Sequence, residues 1–210
     1  MRLNFLITTP EHDLVTFYLS KWAKELIEIA KQKGVNVLEC SRDRAIKKTV
    51  EGILSKTNPK LVMFNGHGSE DSLFGHGNET LITLGQNDAL LNDKIVYARA
   101  CKSAAKLGKD CKADAYIGYE KKFKFWINDF ASANPLNDNF AKPFFEASNQ
   151  VIKSLLNGRT AGDSYARSQE TWQQWIDRIE RGNELEDLQF LLPLLNFDKE
   201  VQKVHGNENA

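Results

Sequence analysis

Short apolar runs alternate along the chain with longer stretches of helical periodicity. Residues 2–7 form an apolar-rich run that reads as a strand, broken by Thr8-Thr9-Pro10. From Asp13 the apolar positions Val15, Leu19, Trp22, Leu26, Ile29 and Ala30 recur at helical spacing, with Lys31, Lys33 and Gly34 as the stop signal. Residues 35–38 read as a second strand. Ser41 is placed to cap a second helix whose buried stripe is Ile46, Val50, Ile53 and Leu54, ended by Asn58-Pro59. Residues 61–64 are a continuous apolar run bounded by turn residues, the pattern of a central parallel strand covered on both faces. Strand, helix, strand, helix, strand in that order predicts an α/β sheet with right-handed crossovers.

The second half continues the pattern with more interruptions. A Gly-rich stretch, 66–77, leads into a hairpin between 72–74 and 80–83, with Gly77-Asn78 as its turn. Residues 88–91 fit one helical turn. Residues 95–100 form a strand that runs directly into Cys101, and 115–119 form another that ends in a Gly118-containing turn. Residues 123–127 alternate aromatic and basic side chains; this predicts an edge strand with lysines guarding its solvent face rather than a nucleic-acid surface. Two helices, over 139–156 and 164–179, close the fold. Trp172, Trp175, Ile176 and Ile179 share a face of the second and read as core. Residues 184–187 read as a solvated turn, Gln189-Phe190-Leu191-Leu192 as a segment docking on the body or on a partner, and 206–210 as a frayed polar tail beyond a single domain spanning 1–205.

Composition narrows the functional classes. The 210 residues are 41% hydrophobic, enough for one well-buried core. Lys and Arg number 28 and Asp and Glu number 28, so no global field draws the chain to nucleic acid or to an anionic membrane. Apolar runs fall far short of the ~20 residues a membrane helix needs, and residues 1–7 are too short and polar for a signal peptide. Three cysteines, Cys40, Cys101 and Cys111, cannot all pair with one another, which favours free thiols and a cytoplasmic location.

Two segments carry chemistry. Gly66-His67-Gly68 follows the strand at 61–64, and Arg99-Ala100-Cys101 ends the strand at 95–100. Ligands of open α/β sheets bind beyond the carboxyl ends of the strands, so His67 and Cys101 are candidates to share one rim. A thiol and an imidazole there are the minimum for nucleophilic acyl transfer, because the imidazole favours the thiolate and then protonates the leaving amine. Gly68 lets backbone approach a substrate and frees an N–H for an oxyanion.

These blocks resemble the caspase-like cysteine peptidases, a group including caspases, metacaspases, legumain, clostripain, gingipain, separase and the bacterial CHAT-domain proteases. Residues 61–69 match the first block of that group, with its His-Gly after a hydrophobic run, and 95–103 match the second, with its Ala-Cys. The intervening hairpin with Leu84 and Leu90-Leu91, the strand at 115–119 and the two later helices look most like the CHAT spacing, so the likeness runs from about Leu61 to Trp175. It implies a three-layer α/β sandwich: a mostly parallel central sheet, helices on both faces and a small hairpin insertion. It further implies a cysteine endopeptidase with Cys101 as nucleophile, His67 as general base and acid, and the N–H groups of Gly68 and Cys101 as oxyanion hole. No third carboxylate is required by it. Arg99, two residues before the cysteine, is then a candidate for the pocket of the residue preceding the cut, where its planar fork suits Asp or Glu. The alternative has a neighbouring carboxylate, such as Glu120 or Asp129, either pairing with Arg99 or forming a pocket for Lys or Arg. The substrate is a protein, regulation by an activating partner or by processing is expected, and a bacterial antiviral-defence or cell-death setting fits the CHAT likeness.

Gly75-His76-Gly77 is a second, weaker histidine candidate, read as an exposed hairpin residue. His67, His76, Cys101 and Cys111 lack any paired metal-ligand spacing, so neither a metal nor another cofactor is expected. The competing readings are a catalytically silent scaffold of the same fold and a nucleotide-binding α/β domain that uses 66–69, although the P-loop pattern is missing.

Overall fold

A computed structural model describes residues 3–182 and 186–210; of the turn expected at 184–187, residues 184 and 185 lie outside them. Six strands form the main sheet: β1 (Asn4–Thr9), β2 (Asn36–Ser41), β3 (Leu61–Asn65), β6 (Ile95–Arg99), β7 (Ala115–Tyr119) and β8 (Gln202–Gly206), in the order β2-β1-β3-β6-β7-β8. The first five are mutually parallel, and β8 closes the far edge antiparallel to β7. β4 (Ser72–Phe74) and β5 (Thr80–Thr83) make the separate hairpin, as the sequence predicts.

The period-two alternation of the central strands sorts side chains into two cores. Phe5, Ile7, Met63, Tyr97 and Ile117 face one layer, built from α1 (Leu14–Gln32), α4 (Lys142–Leu156) and α5 (Ala161–Glu180). Leu6, Val62, Phe64, Val96 and Tyr116 face the other, built from α2 (Lys47–Thr57), the hairpin and the short α3 (Leu107–Asp110). The result is the expected α/β sandwich, a mostly parallel sheet with helices on both faces. Among the described residues no helix is long and apolar enough to cross a membrane, and all three cysteines are free.

Local chemistry sets the helix ends. Asp13 caps α1 through a reciprocal box with Thr16: its carboxylate accepts the Thr16 N–H at 2.7 Å, and the Thr16 hydroxyl accepts the Asp13 N–H at 3.1 Å. Ser41 does not cap α2. A single 3-10 turn, Arg42–Arg44, intervenes, and α2 starts after Ile46.

The C-terminal part departs most from the sequence reading. Residues 123–127 are not a strand. The Lys124 N–H is taken by the buried Asp198 carboxylate at 3.1 Å, and Phe123 and Phe125 turn inward against Phe145. The edge they were expected to fill belongs to β8, which follows α6 (Leu192–Val201). Leu188 and Leu191 bury against the same core, so the 189–192 segment docks on the body, while Phe190 stays exposed. The tail is ordered rather than frayed, because Gly162 and Ala161 donate to the carbonyls of Glu208 and Ala210, and Asn207 donates to that of Asp114.

Candidate active site

The register of two neighbouring strands builds the site. β3 and β6 pair Phe64 with Ala98 and Asn65 with Arg99. His67 and Cys101 therefore each leave the sheet two residues beyond the last aligned pair, at the same carboxyl rim. The chains stay in contact past the strands: a Cβ on Gly68 would lie 2.6 Å from the Cys101 carbonyl oxygen and 3.0 Å from the Ala100 side chain. Only glycine allows that approach.

The hairpin fixes the His67 loop. Phe74 N–H donates to the His67 carbonyl at 3.0 Å, and Ser69 N–H donates to the Ser72 carbonyl at 2.9 Å. Gly68 bridges Leu73 between these bonds, so its own N–H is left out of the ladder. Gly66, at φ +151°, abuts the Phe74 carbonyl, which a side chain would strike at 2.3 Å. Glu70 ties the two rim loops together: its carbonyl accepts the N–H groups of Lys106 and Leu107, and its carboxylate pairs with the Lys106 and Lys102 ammonium groups at 2.9 and 3.4 Å. Lys102, directly after the cysteine, sits in the left-handed region at φ +57°, a conformation of the kind that concentrates at functional turns.

The side chains add a group that the sequence reading did not name. His67 Nε2 lies 2.6 Å from Asp13 Oδ2. The other carboxylate oxygen of Asp13 holds Thr16, so the capping box aims the acid at the imidazole. Partial burial pushes the Asp13 carboxyl upward, but hydrogen bonds from His67 and Thr16 outweigh it and hold it at about 2. A carboxylate orienting a histidine from behind is the third element of many hydrolase sites. The signal that could have found it is the strand-end rule applied once more, since Glu11-His12-Asp13 follows the carboxyl end of β1.

Cys101 is partly buried, and its sulfur lies 3.8 Å from the Phe123 carbonyl oxygen. Burial raises its thiol above the ordinary value, opposed by contact with the Phe123 backbone. Among the described residues no hydrogen bond joins the sulfur to the His67 ring. Cys40 and Cys111 are buried, with thiols also raised by burial.

Arg99 is not in a substrate pocket. Its position on β6 has the parity of Tyr97, so it points into the α1–α4 layer, where it is fully buried. There its guanidinium donates to Asn65 Oδ1, Asn149 Oδ1, Ser148 Oγ and the Leu19 carbonyl at 2.7–3.1 Å. It pairs with neither Glu120 nor Asp129, both of which are exposed. Burial lowers it to about 10. Its role is architectural. Asn65, which accepts from Arg99, also donates to the Thr8 carbonyl at 2.8 Å, so one network ties the ends of β1, β3 and β6 just below the rim.

His76 sits at the hairpin tip, where its N–H donates to the Ala45 carbonyl at 2.8 Å. It is half-buried rather than exposed. Its ring lies 5.4 Å from that of His12, which lies 5.8 Å from that of His67.

This fold is the caspase-like α/β sandwich. Among solved structures, the chain is similar to the Arg-specific cysteine proteinase gingipain R (RgpB), with a TM-score of 0.62, 14% identity, and coverage of 99% of this chain and 46% of that one. It is likewise similar to the complex of Porphyromonas gingivalis RgpB pro- and mature domains, with a TM-score of 0.62, 11% identity, and coverage of 99% and 47%. The chain thus spans about half the length of these structures. The likeness is one of fold, and it does not single out the CHAT branch. No family model and no curated protein matches the sequence.

Proposed function

We propose that the chain is a cysteine endopeptidase in which Cys101, His67 and Asp13 act as nucleophile, proton carrier and orienting carboxylate. The observation that carries this reading is the β3–β6 register, which sends the histidine and cysteine loops off one rim with Gly68 against Cys101. The fold shared with cysteine proteinases supports it.

The proton path follows from the ring's contacts. With Nε2–H held by Asp13, the lone pair of His67 is on Nδ1, the nitrogen available to the thiol. Cys101 gives its proton to Nδ1 and the sulfur attacks the scissile carbonyl carbon. The resulting oxyanion is met by the N–H groups of Gly68 and Cys101. Collapse breaks the C–N bond as the imidazolium returns its proton to the leaving amine. Water, deprotonated by the same nitrogen, then cleaves the thioester and restores the thiol. Burial raises the Cys101 thiol above its ordinary value, which disfavours a preformed thiolate.

For the residue before the cut, the free carboxylate of Glu120 favours a basic side chain. It precedes Lys121, whose carbonyl accepts the Lys102 N–H beside the cysteine. Asp129 lies farther along the same segment.

One observation favours a second reading, a silent scaffold: the sulfur faces the Phe123 carbonyl while the imidazole faces Asp13. A peptide library with the full chain tests the two. Cleavage lost in Cys101→Ala and in His67→Ala, and retained in His76→Ala, carries the peptidase. Absence of cleavage together with no labelling of Cys101 by a peptidyl electrophile carries the scaffold.

A further inference from the structure

His12, Asp13 and His67 each offer a ligand atom, and the three atoms lie within 4.8 Å of one another, with Asp13 Oδ2 facing Nε2 of both rings. Two nitrogens and one carboxylate oxygen are a donor set suited to zinc and its borderline neighbours. Ligand bonds of about 2.1 Å in a tetrahedron separate donor atoms by about 3.4 Å. Two separations within the set bracket that value: Asp13 Oδ2 lies 2.6 Å from His67 Nε2 and 3.5 Å from His12 Nε2. Small side-chain shifts are enough to centre an ion.

The backbone presents the set ready-made. Both His12 N–H and Asp13 N–H donate to the Thr16 hydroxyl at 3.1 Å, and Asp13 Oδ1 is held by Thr16, so Oδ2 is the oxygen that faces the two imidazoles. Such secondary bonds orient ligands in metal sites. The N-terminal dipole of α1 opposes a cation here, and the Asp13 charge offsets it. On the far side of His12, the His76 ring packs edge-on, and the Nδ1 atoms of both rings are buried without a partner. At the ligand atom itself, His12 Nε2 lies 3.4 Å from Asn78 Oδ1, a long contact that an ion would replace.

We propose that this cluster is an inhibitory site for a zinc-class divalent cation. The inference of inhibition rests on the peptidase reading above; the binding does not. An ion on His67 Nε2 displaces that nitrogen's proton, and the neutral ring then carries its one proton on Nδ1. Neither nitrogen is left to accept the Cys101 proton, so the first step stops. Removal of the ion restores Nε2–H on Asp13 and the free Nδ1 lone pair.

The test uses zinc and cobalt ions on the full chain. Zinc binding followed by calorimetry against a competing chelator is expected to give one site, weakened at least about ten-fold by His12→Ala and by His67→Ala and unchanged by Cys101→Ser. Cobalt on the wild-type chain is expected to show visible d–d bands with no thiolate charge-transfer band, a readout that needs no variant to fold. No binding, a thiolate band, or affinity lost in Cys101→Ser and kept in His12→Ala overturns the site. If zinc binds as described but the chelated protein cleaves nothing, the peptidase reading fails and the site stands. If the chelated protein cleaves and stoichiometric zinc leaves the rate unchanged, the inhibition fails alone.

Discussion

The Asp13 carboxylate meets the His67 imidazole at 2.6 Å across 54 residues of sequence. One short side chain serves two structures at once: Oδ1 closes the first turn of α1, and Oδ2 faces the rim of the sheet. The helix cap thereby fixes where the carboxylate that meets the histidine stands.

Separating those duties is the first prediction. Asp13→Asn keeps an oxygen for Thr16, so stability is expected to change by less than about 0.5 kcal/mol, because Asn and Asp cap helices nearly equally. Loss of the anion behind His67 is expected to lower kcat by about 100-fold or more with little change in KM. Chemical denaturation and chelated steady-state kinetics on one preparation check both. An unchanged kcat would remove Asp13 from the proposed mechanism.

Gly68→Ala is expected to act through sterics. The added methyl meets the Cys101 carbonyl at 2.6 Å and the Ala100 side chain at 3.0 Å, so the two rim loops must part. The expected cost is about 1–3 kcal/mol of stability, as for other overpacked sites, with peptidase activity reduced at least about ten-fold because both catalytic loops move. Denaturant midpoints and cleavage rates report these separately.

Arg99 distinguishes architecture from specificity. Arg99→Met leaves the acceptors on Asn65, Ser148, Asn149 and Leu19 without their donor. A loss of about 2–4 kcal/mol is expected, with no selective loss of cleavage after acidic residues. Arg99→Lys is expected to rescue only part of it, because an ammonium cannot reproduce the fork. Urea unfolding gives the first number, and a peptide library gives the second.

Asp198 predicts a pH dependence. It is fully buried, and burial raises its carboxyl well above 3.8, only partly opposed by the Lys124 N–H and ammonium. The folded state therefore holds this proton more tightly than the unfolded state. Between the unfolded value and the raised folded value, stability from this group falls as pH rises. Asp198→Asn has no such proton, so its stability relative to wild type is expected to improve from pH 4 to pH 8 by at least about 1 kcal/mol, the worth of roughly one pKa unit. Unfolding curves at both pH values check the slope; parallel behaviour of the two proteins would contradict it.

Much of this was legible from residue order. The continuous apolar run of β3, the apolar-rich run of β6, helical periodicity in α1, and turn residues between them are local properties, set by which side chains can turn to a core without violating backbone sterics. They located His67 and Cys101 at strand ends and made one rim the natural place for both. Where the reading stopped short, the deciding partner was remote. Residues 123–127 carry a strand's alternation, yet Asp198 takes the Lys124 N–H and β8 takes the edge. Residues 202–206 carry little strand signal and become one because β7 offers unpaired backbone there.

The sequence by itself determined the α/β class, the order of the elements from β1 to β7 and the two loops that carry a thiol and an imidazole, because periodicity and turn chemistry act between near neighbours. Only the tertiary structure decided that Arg99 turns into the helical layer, that Asp13 stands behind His67 and that His12 joins them. Those outcomes depend on which layer each strand face meets and on how one helix cap lands beside another strand's end, and no spacing along the chain encodes that distance.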